Sequence, residues 1–323
     1  MAVLKVQNLN VRYAMKERQV LACDDVSLEI DEQDSIGIVG ESGSGKSTLA
    51  MCILGLLPKS STQIDGEICF QGLNLVGLSE AEYTKIRWKE LSAVFQKSMN
   101  TMSPVHKISR QMSDIYRIHV PKATDRECRE MALALLAKVN LPPRVYDLFP
   151  HQLSGGMIQR VSIALCLMFN PALIILDEAT TALDVVTESQ ILREIVRLQE
   201  TEKVTRMMIT HNMAVVSSSC KKVAVMYAGR IMETGLTVDV LKHPKHPYTK
   251  GLLSSFPSFT GDRQTLRGIP GSLPDLSAPM PGCVFAPRCA HACDKCLAQR
   301  PEFFEAEPGW KVACFFPEEG GAS

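Results

Sequence analysis

Neither sign of charge is in excess in this chain: lysine plus arginine and aspartate plus glutamate number 35 each in 323 residues, for a formal net charge of +0. A protein that neutralises phosphates along a nucleic acid carries a basic surplus, so the expectation is of no nucleic-acid partner. Long hydrophobic runs are also missing. The longest, MCILGLL at 51–57 and IALCLMF at 163–169, fall far short of the roughly 18 residues that cross a bilayer. The N-terminal MAVLKVQNLNVRY has no cationic start followed by an apolar stretch, so no secretory leader is expected. What remains is 46% apolar and 22% charged, enough to bury a sizeable core. The expected setting is the cytosol, with room to sit against a membrane protein.

Cysteine and proline are present in number and unevenly placed. A cytosolic chain keeps its thiols reduced, so eleven cysteines are expected as buried thiols or metal ligands rather than disulfides. Five of them, Cys283, Cys289, Cys293, Cys296 and Cys314, fall within one 32-residue window, a density that core packing does not explain. Eleven of the eighteen prolines follow Gly235, where long periodic segments are scarce. Residues 1–235 therefore read as an α/β domain and 236–323 as a small loop-rich C-terminal domain. No internal repeat is evident.

Short aliphatic runs bounded by turn residues predict buried strands at SIGIV (35–39), SAVF (92–95), LIIL (173–176), RMMIT (206–210) and KVAVM (222–226). Helical spacing of Ile191, Ile195 and Leu198 predicts a helix over 187–200, and 123–139 predicts another. Strands alternating with helices imply a mostly parallel sheet covered on both faces.

Residues 40–48, GESGSGKST, fit G-x-x-x-x-G-K-[ST] and follow the SIGIV strand, as that motif requires. Its residues are Gly40, Glu41, Ser42, Gly43, Ser44, Gly45, Lys46, Ser47 and Thr48. Glycines let successive backbone N–H groups curl around an anion, and a helix starting near Lys46 points its positive end at it. Lys46 is then expected at the β and γ phosphates of a nucleotide, and the Ser47 hydroxyl on Mg²⁺. A flexible Gly/Ser turn is the bland alternative; the flanking strand and apolar helix argue against it. In LIILDEAT (173–180) two carboxylates emerge at the C-terminal end of a strand, where open α/β sheets place ligands. Asp177 suits the Mg²⁺ shell, and Glu178 suits a general base acting on water. A solvated helix-cap pair is the alternative reading.

A second glycine-paired helix start, LSGGM at 153–157, resembles the signature of ABC ATPases. Tyr13, Gln96 in AVFQ, Ala182 to Asp184 in ALD, and His211 in MMITH match further motifs of that family in order. The resemblance covers essentially all of 1–235. It implies a P-loop NTPase fold of ABC type, with a RecA-like core and a helical subdomain at about 97–165, that binds and hydrolyses ATP with Mg²⁺. It also implies head-to-tail dimers in which Ser154, Gly155 and Gly156 of one subunit face the γ-phosphate held by the other. Under it, Tyr13 stacks on adenine, Gln96 senses Mg²⁺ and the attacking water, Asp184 lies at the nucleotide interface, and His211 contacts the γ-phosphate. Met157 stands where glutamine is commonest and Ala179 where proline is frequent; neither change removes a phosphate ligand.

HPYT (246–249) and GCVFAPRC (282–289) resemble the tail of oligopeptide, dipeptide and nickel importer ATPases. Cys283, Cys289, Cys296 and Cys314, spaced C-x5-C-x6-C-x17-C, sit where that tail carries ligands of a four-iron four-sulfur cluster, which needs four thiolates. Cys293 adds a C-x-x-C that also suits Zn²⁺, so cluster, zinc and no metal stay open. The importer reading implies a second ABC ATPase subunit, two membrane permeases, a substrate-binding protein acting indirectly, and a peripheral place on the cytoplasmic membrane face. Competing classes fare worse. DNA-repair relatives insert long coiled coils where only about 130 residues lie here, translation-type relatives carry two cassettes, and a kinase has no use for LSGGM.

Overall fold

The computed structural model describes residues 1–15, 18–95, 102–180, 183–255, 268–278 and 280–317. Packing divides the chain into two compact units, Met1–Leu78 with Met208–Ser323 and Ser79–Met207. The described residues after Gly235 fall in the first of these units.

The first unit opens with an antiparallel sheet, in order β2 (Arg18–Asp31), β1 (Ala2–Met15), β4 (Thr62–Phe70) and β5 (Leu73–Asn74). The expectation of strands alternating with helices did not include this sheet. The fully buried β3 (Ser35–Val39) runs parallel to β9 (Lys222–Tyr227), which pairs antiparallel with β10 (Arg230–Leu236). Two short tail strands, β11 (Phe304–Glu307) and β12 (Trp310–Val312), continue the ladder on β10. Helix α1 (Lys46–Ile53) follows β3.

One buried carboxylate ties the tail to this sheet. Glu233 on β10 has no exposed surface and accepts from the Lys245 and His246 backbone N–H groups at 2.8 and 3.1 Å and from Trp310 Nε1 at 2.9 Å. A buried carboxyl survives only with such donors. Burial still raises its pKa.

The second unit holds the parallel pair β6 (Leu91–Phe95) and β7 (Leu173–Asp177). Its main helices are α2 (Glu80–Ile86), α3 (Ile108–His119), α4 (Asp125–Lys138), α5 (Gly155–Cys166) and α6 (Val185–Glu202). Capping boxes start α2 at Ser79/Glu82 and α4 at Thr124/Glu127, satisfying backbone donors that have no partner within the helix. The periodicity predicted over 187–200 and 123–139 corresponds to α6 and α4. β8 (Thr205–Ile209) carries the chain back to the first unit.

Candidate nucleotide site

The chain turns from β3 into α1 through a loop that only glycine permits. Gly45, the residue before α1, has φ +101°, and a Cβ there would lie 2.3 Å from the Ala22 carbonyl oxygen. At Gly40, φ +152°, a Cβ would lie 2.0 Å from the Met226 oxygen at the end of β9. Glycine at these positions lets the backbone approach and turn where any side chain collides. Lys46 is buried, and its Nζ donates to Gly40 O at 2.8 Å, Glu41 O at 2.7 Å and Ser44 Oγ at 3.2 Å. The ammonium is thus held by its own loop at the mouth of the helix. Ser42, Gly43 and Ser47 are exposed, so the concave side is open to an anion. Tyr13 on β1 reaches this helix, its Oη 3.3 Å from Thr48 Oγ1. His211 is exposed just beyond β8, followed by Asn212, which caps α7 (Met213–Ser219).

In the second unit, Asp177 closes β7 with only 7% of its surface exposed. Glu178 follows at φ +48°. A glutamate in left-handed backbone costs on the order of 1 kcal/mol, and such outliers gather at functional positions. Gln96 lies outside the described residues, as does Ala182. Asp184 caps α6, accepting Thr187 N at 3.0 Å and Thr187 Oγ1 at 2.7 Å. The Thr187 backbone N–H, then its hydroxyl, lowers the Asp184 pKa.

The signature segment is a second helix start of different construction. Ser154 has extended backbone and its Oγ accepts Met157 N at 3.3 Å, an ordinary N-cap. Ser154 is exposed and Gly155 and Gly156 partly so, so the positive end of α5 faces outward. A Cβ at Gly156 would lie 2.7 Å from Thr187 Cγ2, which places the signature against the residue that Asp184 binds.

The thiols fall into two populations. Burial pushes Cys52 and Cys166 up to about 12 and raises Cys23 as well, so these are inert core side chains. In the tail, Cys283, Cys289, Cys296 and Cys314 line one cavity of about 20 Å³ with Phe285, Phe315 and His246. Burial raises Cys283, and Cys314 to about 11. Cys293 is exposed, and the Cys296 backbone N–H lowers its pKa. Its Sγ lies 3.7 Å from that of Cys296. Yet among the described residues no three His, Cys, Asp or Glu side chains are arranged to hold a metal ion. The four thiols share a cavity without closing on a common point, and a four-iron four-sulfur cluster is not supported by this arrangement.

Sequence reasoning missed the Glu233 anchor and the contacts that Tyr248 and Arg288 make with Glu41. HPYT and GCVFAPRC marked the right segments, but nothing in their spacing pointed back to the phosphate loop.

The profile of the ABC transporter family matches residues 23–181, and that of the oligopeptide/dipeptide transporter C-terminal region matches 232–296. The chain is 39% identical to the oligopeptide transport ATP-binding protein AppD of Bacillus subtilis, across 99% of this chain and 98% of that one. It is 38% identical to the oligopeptide transport ATP-binding protein OppD of Escherichia coli, across 98% and 94%. Among solved structures, the dimeric ATP-binding cassette MJ0796 bound to ADP and Pi is 30% identical, with a TM-score of 0.65 over 72% of this chain and 98% of that one. By these matches, found in a chain that also carries the glycine loop and its buried lysine, this chain belongs to the oligopeptide/dipeptide-type ABC transporter ATP-binding proteins, which hydrolyse ATP.

Proposed function

We propose that this chain powers uptake of di- or oligopeptides, or of a related cargo such as nickel or a metallophore. In this reading it works as a dimer with an identical or homologous ATPase subunit beneath two membrane permeases that receive cargo from a substrate-binding protein. Its place is the cytoplasmic face of the membrane; among the described residues no helix is long and apolar enough to cross a bilayer. The observation that carries the reading is the likeness to peptide-transport ATP-binding proteins along the whole chain, tail included.

Residues 1–235 supply the ATPase function. The N–H groups of residues 40–48 and the Lys46 ammonium hold the β and γ phosphates, and Tyr13 packs on the adenine. A Ser47 hydroxyl with Asp177 and Gln96 is a set of hard oxygen donors that fits Mg²⁺, which when bound neutralises phosphate charge. Glu178 takes the proton of the attacking water, with Gln96 and His211 orienting water and γ-phosphate. Ser154, Gly155 and Gly156 present their helix start to the nucleotide of the partner, beside Asp184.

For the tail, 236–323, we propose that Cys283, Cys289, Cys296 and Cys314 draw together around a four-iron four-sulfur cluster, which requires them to close on a point they do not share in this arrangement, with zinc using Cys293 as the alternative. The donors are sulfur, which fits soft metals, and the raised thiols Cys283 and Cys314 must release protons on binding. Such a centre is structural here and takes no part in hydrolysis. Protein purified without oxygen is expected to be brown with about four irons per chain; colourless protein with one zinc favours the alternative. Uptake of labelled dipeptides and of nickel by cells with and without the gene tests the cargo, and unchanged uptake of both refutes it.

A further inference from the structure

The second residue of the phosphate loop is gripped from the tail. The Glu41 backbone N–H donates to Tyr248 Oη at 3.0 Å, across 207 residues of sequence. Arg288 Nη1 lies 2.9 Å from Glu41 Oε2, across 247 residues. The Arg288 side chain is only 6% exposed, and each of its three nitrogens is hydrogen-bonded. Nε bonds Pro270 O at 2.7 Å, Nη2 bonds Ile269 O at 3.1 Å, and Nη1 also reaches Tyr227 Oη at 3.3 Å. Tyr248 is fully buried, its ring 4.6 Å from that of Tyr227 and 5.3 Å from that of Phe285. Leu273 of the same tail sits against the loop, 3.5 Å from where a Cβ would stand on Gly43.

These contacts bear on the lysine. Glu41 O and Gly40 O are two of the acceptors that hold Lys46 Nζ. The peptide groups that aim the ammonium are therefore next to the residue that Arg288 and Tyr248 fix. A guanidinium fork with every arm bonded holds a carboxylate in one geometry far more strictly than a surface ion pair does. We infer that Arg288, together with Tyr248, is a positioning residue for the phosphate loop, setting the Glu41 backbone and through it the direction of Lys46. Neither residue touches phosphate. The tail is then part of what makes the loop competent for ATP, and not only an appendage that docks elsewhere.

The test uses the full chain and compares Arg288→Gln, Arg288→Lys, Glu41→Gln and the double variant Glu41→Gln/Arg288→Gln. The measurements are KM and kcat for ATP hydrolysis, ATP affinity and thermal unfolding. Positioning predicts that Arg288→Gln raises KM about 10–100-fold, the scale of a misplaced binding group, with the protein still folded at the assay temperature. Arg288→Lys should recover part of the loss, because it keeps the charge and loses the fork. Glu41→Gln should raise KM similarly from the loop side, and the double variant should be within twofold of the worse single one. KM and kcat within twofold of wild type in folded Arg288→Gln, or losses that multiply in the double variant, overturn the inference. Should Arg288→Gln fail to fold, Glu41→Gln decides: a raised KM supports positioning and an unchanged one overturns it. Wild-type hydrolysis measured alongside separates failure of this inference from failure of the ATPase assignment.

Discussion

The two helix starts proposed to meet phosphate are built on opposite principles. The phosphate loop reaches α1 through left-handed Gly45, whose absent side chain makes room for the Ala22 carbonyl, and its cation is folded back onto loop carbonyls. The signature reaches α5 through Ser154 in extended backbone with a plain side-chain cap, and its glycine meets only the tip of Thr187. The first is shaped by backbone that cannot move, the second by side chains that can. A loop that must wrap phosphate needs several converging N–H groups and hence unusual torsions. A surface that meets phosphate at one helix end needs only an exposed N-terminus.

That contrast is sharpest at glycine. Gly45→Ala adds both the penalty for left-handed backbone and a collision with main chain. It should cost about 2–4 kcal/mol of folding stability, or abolish ATP binding in the protein that remains folded, as read by thermal unfolding and ATP titration. Gly156→Ala should shift unfolding by less than about 1 kcal/mol, because Thr187 can turn aside; equal penalties at both sites would erase the distinction.

Chemistry gives an effect of comparable size. Glu178→Gln should slow hydrolysis by roughly 10²–10⁴-fold while leaving ATP affinity intact, and steady-state kinetics with ATP titration check both halves. Hydrolysis near the wild-type rate would remove Glu178 from the role.

A smaller effect tests the cap. Ser154→Ala leaves the Met157 N–H without its acceptor and should cost about 1 kcal/mol, measured by denaturant unfolding, with no counterpart at the phosphate loop, where Gly45 offers no side-chain cap.

The smallest is a pH effect confined to the signature's neighbourhood. The Asp184 pKa is lowered from its ordinary 3.8 by Thr187, so its stabilising contribution is present above about that value and lost as pH falls through the lower, folded one. Asp184→Asn should flatten this part of the acid-unfolding curve, whereas an unchanged acid limb would show that the cap carries no linkage.

The sequence made the parallel core legible because β3, β7 and β9 are short, continuously apolar and followed by chemistry-bearing turns. It did not make the antiparallel sheet legible, and the reason is local. β1 and β2 carry register shifts, with Asn8 at φ +47° and Asp25 at φ +57°. Each extra residue resets which side chains face inward, so the period of two fails within each strand. The site divided the same way. Lys46, Asp177 and Ser154 belong to contiguous motifs whose local geometry follows from their own residues. The Arg288–Glu41 pair joins positions 247 residues apart, and only the fold brings those together. In the tail, the resemblance to importer ATPases singled out four thiols that line one cavity, while the closeness of their approach depends on packing around Phe285 and Phe315.

In the proposed dimer the two unlike helix starts serve one nucleotide from opposite chains. Pairs assembled from one Lys46→Ala subunit and one Ser154→Arg subunit, both carrying Glu178→Gln to prevent turnover, test it by the number of ATP molecules trapped per pair. Sharing between chains leaves one site without lesion in its helix starts and predicts one trapped ATP. No trapped ATP, with two in the pair that carries Glu178→Gln alone, would place both helix starts of each site on the same chain and contradict the account.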